Sequence, residues 1–429
     1  MNTSPKNEER IIAIGKPETE FKPGEYDFSW PDLGVRITVD RLEDDGPAEV
    51  SIFAGLNGET KLLSISRTNL LSAQSCDHLA KKLTHHLQID WDTVLTYVSA
   101  LAFQEYRKGE PVYEIGKPPD DMKVRYQLEP ILERGQVTTI FGPGGSMKTY
   151  LADFFATLIN YGYTALNSND FGLLPESTIV LYLDWESGRE NHERRVWAIK
   201  RSLGIENTDC FYYRFCTQPL VNDIQAIQKL VVEYGIGFVI IDSQMAASGY
   251  GPDPAMQATQ FYNALRSLRC TCLVLDHVSK ESWSGSGTES TGPYGSVVKY
   301  NRSRSVWEVK KTQEPGDDFV ELSLKHIKHN EGKLNKPVGI RVRFTEDQEG
   351  QLESVNFQIA DISGNPILGK TLPMKERLIS ALKPRDKEVK ELAEELGSSE
   401  DIVRARLNQY KQSFFHYTDG WGLLNDHHQ

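Results

Sequence analysis

Residues 137–159 read VTTIFGPGGSMKTYLADFFATLI. A short β-branched, apolar run leads into a glycine cluster, and apolar residues at helical spacing follow, so the stretch predicts strand, tight loop and helix in that order. The loop Gly142-Pro143-Gly144-Gly145-Ser146-Met147-Lys148-Thr149 fits the phosphate-cradling pattern GxxxxGKS/T at all of its fixed positions but one. Glycines let successive backbone N–H groups curl around a phosphate, and the start of the helix adds its positive dipole end. Lys148 is placed to reach the β- and γ-oxygens of ATP and Thr149 to hold Mg2+. Together with Tyr150, these eight residues are the expected nucleotide-binding set. Met147 stands where the pattern has its second glycine; its side chain either crowds the loop or points away from the nucleotide.

Three strand-like runs downstream end in residues with chemistry to offer. TIVLYLD leads to Asp184-Trp185-Glu186, and Glu186 is expected to be the general base that positions and deprotonates the attacking water. FVIIDS ends in Asp242 after four apolar residues, the Walker B arrangement for the metal-side acid, with Ser243 beside it. CLVLDH ends in Asp276-His277, and His277 reads either as a γ-phosphate sensor or as a structural histidine.

Apolar runs alternating with helical segments from residue 135 onward predict an α/β core with a mainly parallel sheet over 125–345. Residues 34–67 alternate with period two and carry the turns DDGP and NGET, which predicts an antiparallel meander. Helices over about 75–88 and 91–108 complete an N-terminal α+β domain, residues 1–112, and 113–124 is a linker. A connecting segment, 346–370, leads to residues 371–429. There, helices over 374–383, 387–396 and 399–413 precede the aromatic hairpin FFHYTDGWGLL, the pattern of a winged helix-turn-helix, with Ser398 expected to cap the third helix. Its Arg404, Arg406 and Lys411 suit a duplex groove. Yet 9 basic against 10 acidic residues leave a protein-contact module equally open.

The chain has 429 residues, 39% hydrophobic and 25% charged, and lacks the ~18–20-residue apolar run that crosses a bilayer. No secretory signal is read at MNTSPKNEER, so the expected address is the cytoplasm. Five cysteines without a CxxC pair read as buried filler rather than as disulfides or a zinc site. The net charge of -12 argues against bulk attraction to nucleic acid, but residues 276–343 hold 12 basic against 9 acidic groups, so an anion-binding surface is expected locally there.

The order of P-loop, LYLDWES with its charged helix, VIIDSQMAASG, VLDHVSK and YGSVVKYNRSRSVWEV resembles the RecA-like ATPases of the RepA and DnaB hexameric-helicase group, including AAA-family ATPases of plasmids, phages and mobile elements. The resemblance covers about 125–345. It implies ATP and Mg2+ as cofactors, ATPase sites between subunits of a ring, commonly a hexamer, single-stranded DNA in the pore, and a role in DNA replication; the separateness of residues 1–112 suggests docking between subunits or onto a replication partner protein. The resemblance also implies two pore-facing loops, 244–258 and 279–296, the second carrying Lys280, Trp283 and Tyr294. A cation from the neighbouring subunit is required as well, with Lys328 the first candidate and Arg302, Arg304 and Lys325 the others. Two rival functions stay open: a filament-forming recombination or repair ATPase, and a slow nucleotide switch.

Overall fold

The computed structural model describes residues 14–56, 59–109, 112–117, 124–163, 173–278, 297–418 and 420–424. The expected pore loop 279–296, with Lys280, Trp283 and Tyr294, lies outside them, as do residues 1–13 and Asp419. Two compact units form, one of residues 1–122 with 224–230, the other of 123–223 with 231–429.

In the first unit the alternating residues 34–67 form the last three strands of an antiparallel meander of β1 (Glu18–Lys22), β2 (Glu25–Trp30), β3 (Val35–Asp40), β4 (Pro47–Leu56) and β5 (Glu59–Asn69), in that spatial order; the expected meander leaves out the first two strands. Ser72 and Asp90 cap α1 (Ala73–Thr84) and α2 (Trp91–Tyr106) through their side-chain oxygens. Phe28, Ile37, Val50, Trp91 and Val98 belong to one buried apolar cluster, so the helices cover one face of the sheet.

The second unit is built on nine strands. A small sheet of β6 (Tyr126–Glu129), β7 (Leu132–Glu133) and β9 (Leu174–Pro175) lies apart from them. The large sheet contains β8 (Val137–Gly142), β10 (Ile179–Asp184), β11 (Tyr212–Phe215), β12 (Ile236–Asp242), β13 (Thr271–His277), β14 (Ser305–Thr312), β15 (Phe319–His329), β16 (Val338–Glu346) and β17 (Leu352–Ile359). Their order is β11-β10-β12-β13-β8-β14-β15-β16-β17. Pairs from β11 to β14 are parallel and pairs from β14 to β17 antiparallel. All six residues of β8 are buried, which explains its apolar reading with no alternation. Connections run through α3 (Lys148–Tyr161), α4 (Arg189–Leu203), α5 (Leu220–Glu233), α6 (Gln244–Ser248) and α7 (Pro254–Ser267).

Several expectations are corrected. The segment 346–370 is not a mere connection: β17 is the ninth strand of the sheet, and Phe357 stacks on Phe154 of α3 at 4.1 Å and 4°. Most of 244–258 is helical, in α6 and the start of α7, because Asp253 caps α7 and Pro254 suits its first turn. Cys216, Cys270 and Cys272 are buried, but Cys210 is exposed and Cys76 half-buried.

At the C-terminus, helices Met374–Leu382, Val389–Leu396 and Glu400–Gln409 precede an antiparallel hairpin of β18 (Phe414–Tyr417) and β19 (Gly420–Leu423). Leu378, Leu392, Val403, Leu407 and Phe414 share its core. Gly397 closes the second helix at φ 58°, and Ser399, not Ser398, caps the third by accepting from Ile402 N–H. Among the described residues no helix is long and apolar enough to cross a membrane.

Candidate functional site

Strand β8 delivers Gly142 to the carboxyl edge of the sheet, where ligands of open α/β sheets bind. A Cβ on Gly142 would meet the Val309 carbonyl oxygen at 2.6 Å, so the close pass of β14 demands glycine. Met147 takes φ 70°, ψ 15°, the left-handed conformation that the motif's second glycine adopts freely. For a residue with a side chain this costs about 1–2 kcal/mol. Its side chain is partly buried against the main apolar cluster. Lys148 is buried, and its Nζ donates to the carbonyls of Gly142 and Pro143, each at 2.9 Å. Burial pulls its ammonium below the ordinary lysine range. Tyr150 packs edge-on against Phe344 and beneath the Arg195 guanidinium, 5.0 Å from the ring centre. The cradle's first side chain beyond the loop is thus fixed by packing.

The carboxylates converge on the start of α3. Thr149 Oγ1 and the Tyr182 hydroxyl both donate to Asp242 Oδ2 at 2.9 Å. Burial pushes the Asp242 carboxyl up to about 6, with the neighbouring Glu186 and Asp184 adding to the rise against those two hydrogen bonds. Glu186 accepts from Ser243 Oγ and lies 3.6 Å from His277 Nε2. Its bond with His277, more than Ser243, holds it below the usual carboxylate range, against the effect of burial. His277, read from sequence as facing the γ-phosphate, thus stands against the expected base. Adjacent β8, β12 and β13, with β10 beyond β12, bring Lys148, Thr149, Glu186, Asp242 and His277 together at one sheet edge.

Thr149 and Asp242 present two oxygens in hydrogen-bond contact. Mg2+ takes one or two protein oxygens and completes its shell with water and substrate phosphates, so this pair fits it. Among the described residues no group of three or more His, Cys, Asp or Glu side chains could hold a metal.

Lys328, the first candidate for the trans-acting cation, is engaged within its own chain. Its Nζ donates to the carbonyls of Tyr300, Asn301 and Ser303, at 2.7, 3.1 and 2.5 Å, and so caps the helix Val297–Arg302. A lysine fastened to three carbonyls of its own chain serves that helix terminus. Arg304 is exposed, 4.0 Å from Glu331, whereas Arg302 and Lys325 are half-buried. Lys299, on the capped helix, pairs with buried Asp276 at 3.2 Å.

The sequence reading missed Asp184 as an organising residue. Its carboxylate accepts the N–H groups of Glu186, Ser187 and Gly188 and the Tyr213 hydroxyl. Although burial works the other way, these donors and His192 hold it well below the usual carboxylate range. The signal was present in the local order: an aspartate followed by three residues and then glycine, at the end of a buried strand, is a common anchor for a turn.

Residues 116–282 match the AAA domain family. The match covers less than half of the chain and contains the P-loop, Glu186, Asp242 and His277. A comparison with curated proteins finds no match. Similar solved structures include a KaiC-like protein from the hyperthermophilic archaeon Pyrococcus horikoshii OT3, at 12% identity, TM-score 0.36, and coverage of 55% of this chain and 94% of that one. The RadB recombinase follows at 20% identity, TM-score 0.37, covering 52% and 93%. A third structure, described as an ATPase domain, gives 13%, 0.36, and 52% and 85%. The strand order and the glycine-rich loop make the core an α/β domain with a P-loop, the region that the AAA domain match covers.

Proposed function

We propose that the protein is an ATP-hydrolysing, Mg2+-dependent RecA-like motor that assembles as a ring, commonly of six subunits, and acts on DNA in the replication of a mobile element. The observation that carries the ATPase reading is the convergence of Lys148, Thr149, Glu186, Asp242 and His277 at one carboxyl edge. Lys148 is desolvated and aimed along the loop, ready to exchange its two carbonyl partners for phosphate oxygens. Glu186, kept ionised by His277 and Ser243, accepts the proton of the attacking water. Thr149 and Asp242 would hold Mg2+, which neutralises charge on the phosphates.

Met147 reproduces the glycine backbone conformation and packs against the main apolar cluster, which supports a working phosphate cradle over a slow nucleotide switch. The ring and DNA readings rest on the motif order that resembles the RepA and DnaB group. With Lys328 engaged elsewhere, exposed Arg304 takes the role of the cation offered to a neighbouring subunit. The three C-terminal helices and their hairpin are read as a winged helix that contacts duplex DNA or a replication partner.

The deciding experiment measures steady-state ATP hydrolysis with Mg2+, with and without single-stranded DNA, for wild type, Lys148→Ala and Glu186→Gln. DNA-stimulated turnover lost in both variants supports the motor. Turnover indifferent to DNA removes the motor and leaves an ATPase, and ATP binding without turnover replaces both with a switch.

A further inference from the structure

His192 belongs to none of the motifs above, yet it joins two of them. It lies in the first turns of α4 and is 2% exposed. Its Nδ1 stands 2.7 Å from Asp153 Oδ1, and its Nε2 3.4 Å from Asp184 Oδ2. Asp153 follows Thr149 by one helical turn, on the same face of α3. Asp184 is the carboxylate around which the Glu186 loop turns. One imidazole therefore bridges the phosphate-binding helix and the loop that presents the base.

Nδ1 is hydrogen-bonded to Asp153, and Nε2 faces Asp184 as a charge contact without a hydrogen-bond partner of its own, so a second proton on the ring places positive charge against both carboxylates. The other groups facing it come from each packed element: Tyr182 of β10 with ring centres 4.4 Å apart, Tyr213 of β11 at 5.4 Å, and Arg195 of α4, whose Nη1 lies 3.9 Å from Asp153 Oδ2. Two carboxylates face the imidazole and the Arg195 guanidinium; burial raises the Asp153 carboxyl, while His192 and Arg195 work against that rise. Burial by itself would depress the imidazole, but the hydrogen bonds and charges of Asp153 and Asp184 outweigh it and raise it to about 9. We propose that His192 is a positioning residue for ATP hydrolysis: as an imidazolium it fastens the Glu186 loop to α3 and so sets where the base stands relative to the phosphates. This rests on the ATPase reading of the same site.

The test uses the full chain with Mg2+. It measures ATP affinity by direct titration, kcat from pH 6 to 10, and the protonation of His192 by 15N-edited NMR of histidine-labelled protein. Wild type is expected to keep both imidazole protons at pH 7.5 and to lose one near pH 9, with kcat falling over that interval. Burial also lowers the Lys148 ammonium, so the variant separates the two. His192→Gln is expected to bind ATP within threefold of wild type, to lose 10- to 100-fold in kcat, and to lose the limb near pH 9. Should His192→Gln fail to fold, Asp153→Asn keeps the shape and is expected to move the His192 titration down by at least one pH unit with a parallel fall in kcat. Unchanged kcat and pH profile in the folded variant, or a neutral His192 at pH 7.5 in wild type, overturns the role alone. A wild type that binds ATP without turnover overturns the ATPase reading, and this role with it.

Discussion

The Thr149 hydroxyl donates to Asp242 Oδ2 at 2.9 Å, joining the first turn of α3 to the end of β12. Two residues 93 positions apart in the chain thereby form one oxygen pair beside the phosphate cradle. Asp242 is 3% exposed and its carboxyl is pushed up to about 6.

A pH-dependent stability difference follows from that acid. Its folded value lies above the ordinary carboxylate value, so the ionised form costs stability above pH 6, and the cost fades as pH falls through 6 toward 4. Asp242→Asn without Mg2+ is therefore expected to be more stable than wild type at pH 8, by on the order of 2–3 kcal/mol. The advantage should fall to about 1 kcal/mol near pH 4.5, and hydrolysis should be lost. Urea denaturation at the two pH values checks this, and an equal difference at both refutes it.

Asp184→Asn tests the loop that presents Glu186. An amide offers one acceptor where the carboxylate offers two, so at least one of three N–H donors loses its partner. A loss of about 1–3 kcal/mol in stability is expected. Turnover should fall at least tenfold while ATP binding persists. Calorimetry and single-turnover kinetics read the two effects separately, and turnover equal to wild type would remove Asp184 from the organising role.

Met147→Gly relieves about 1–2 kcal/mol of left-handed strain and gives up packing of similar size. Little net change in Tm or ATP affinity is expected. Met147→Val places a β-branched residue at φ 70°, which such residues resist. ATP affinity should drop at least tenfold with a lower Tm. A valine variant that binds ATP normally would show that the loop does not need the left-handed turn.

Phe357→Ala checks β17 as part of the core. The ring is 6% exposed and stacked on Phe154. Removing it should cost on the order of 3–5 kcal/mol. Thermal unfolding reads the loss, and a change below 1 kcal/mol would make β17 peripheral.

The sequence by itself determined the parts whose causes are local. A glycine-rich loop between a strand and a helix is set by near neighbours, and so are the runs that end in Glu186, Asp242 and His277. Alternation marked the last three strands of the N-terminal meander but not β1 and β2, and helical spacing with Gly397 ended the second C-terminal helix within its expected range. Only the tertiary structure decided what distant residues do to one another. It turned Lys328 onto the carbonyls of Tyr300, Asn301 and Ser303, because those lie at a helix end that the strand passes. It made 352–359 a core strand, since a partner strand and Phe154 supply the burial that its half-polar pattern does not announce. It also buried His192 between Asp153, 39 positions away, and Asp184, where the two carboxylates, against the effect of excluded water, give the imidazole its charge.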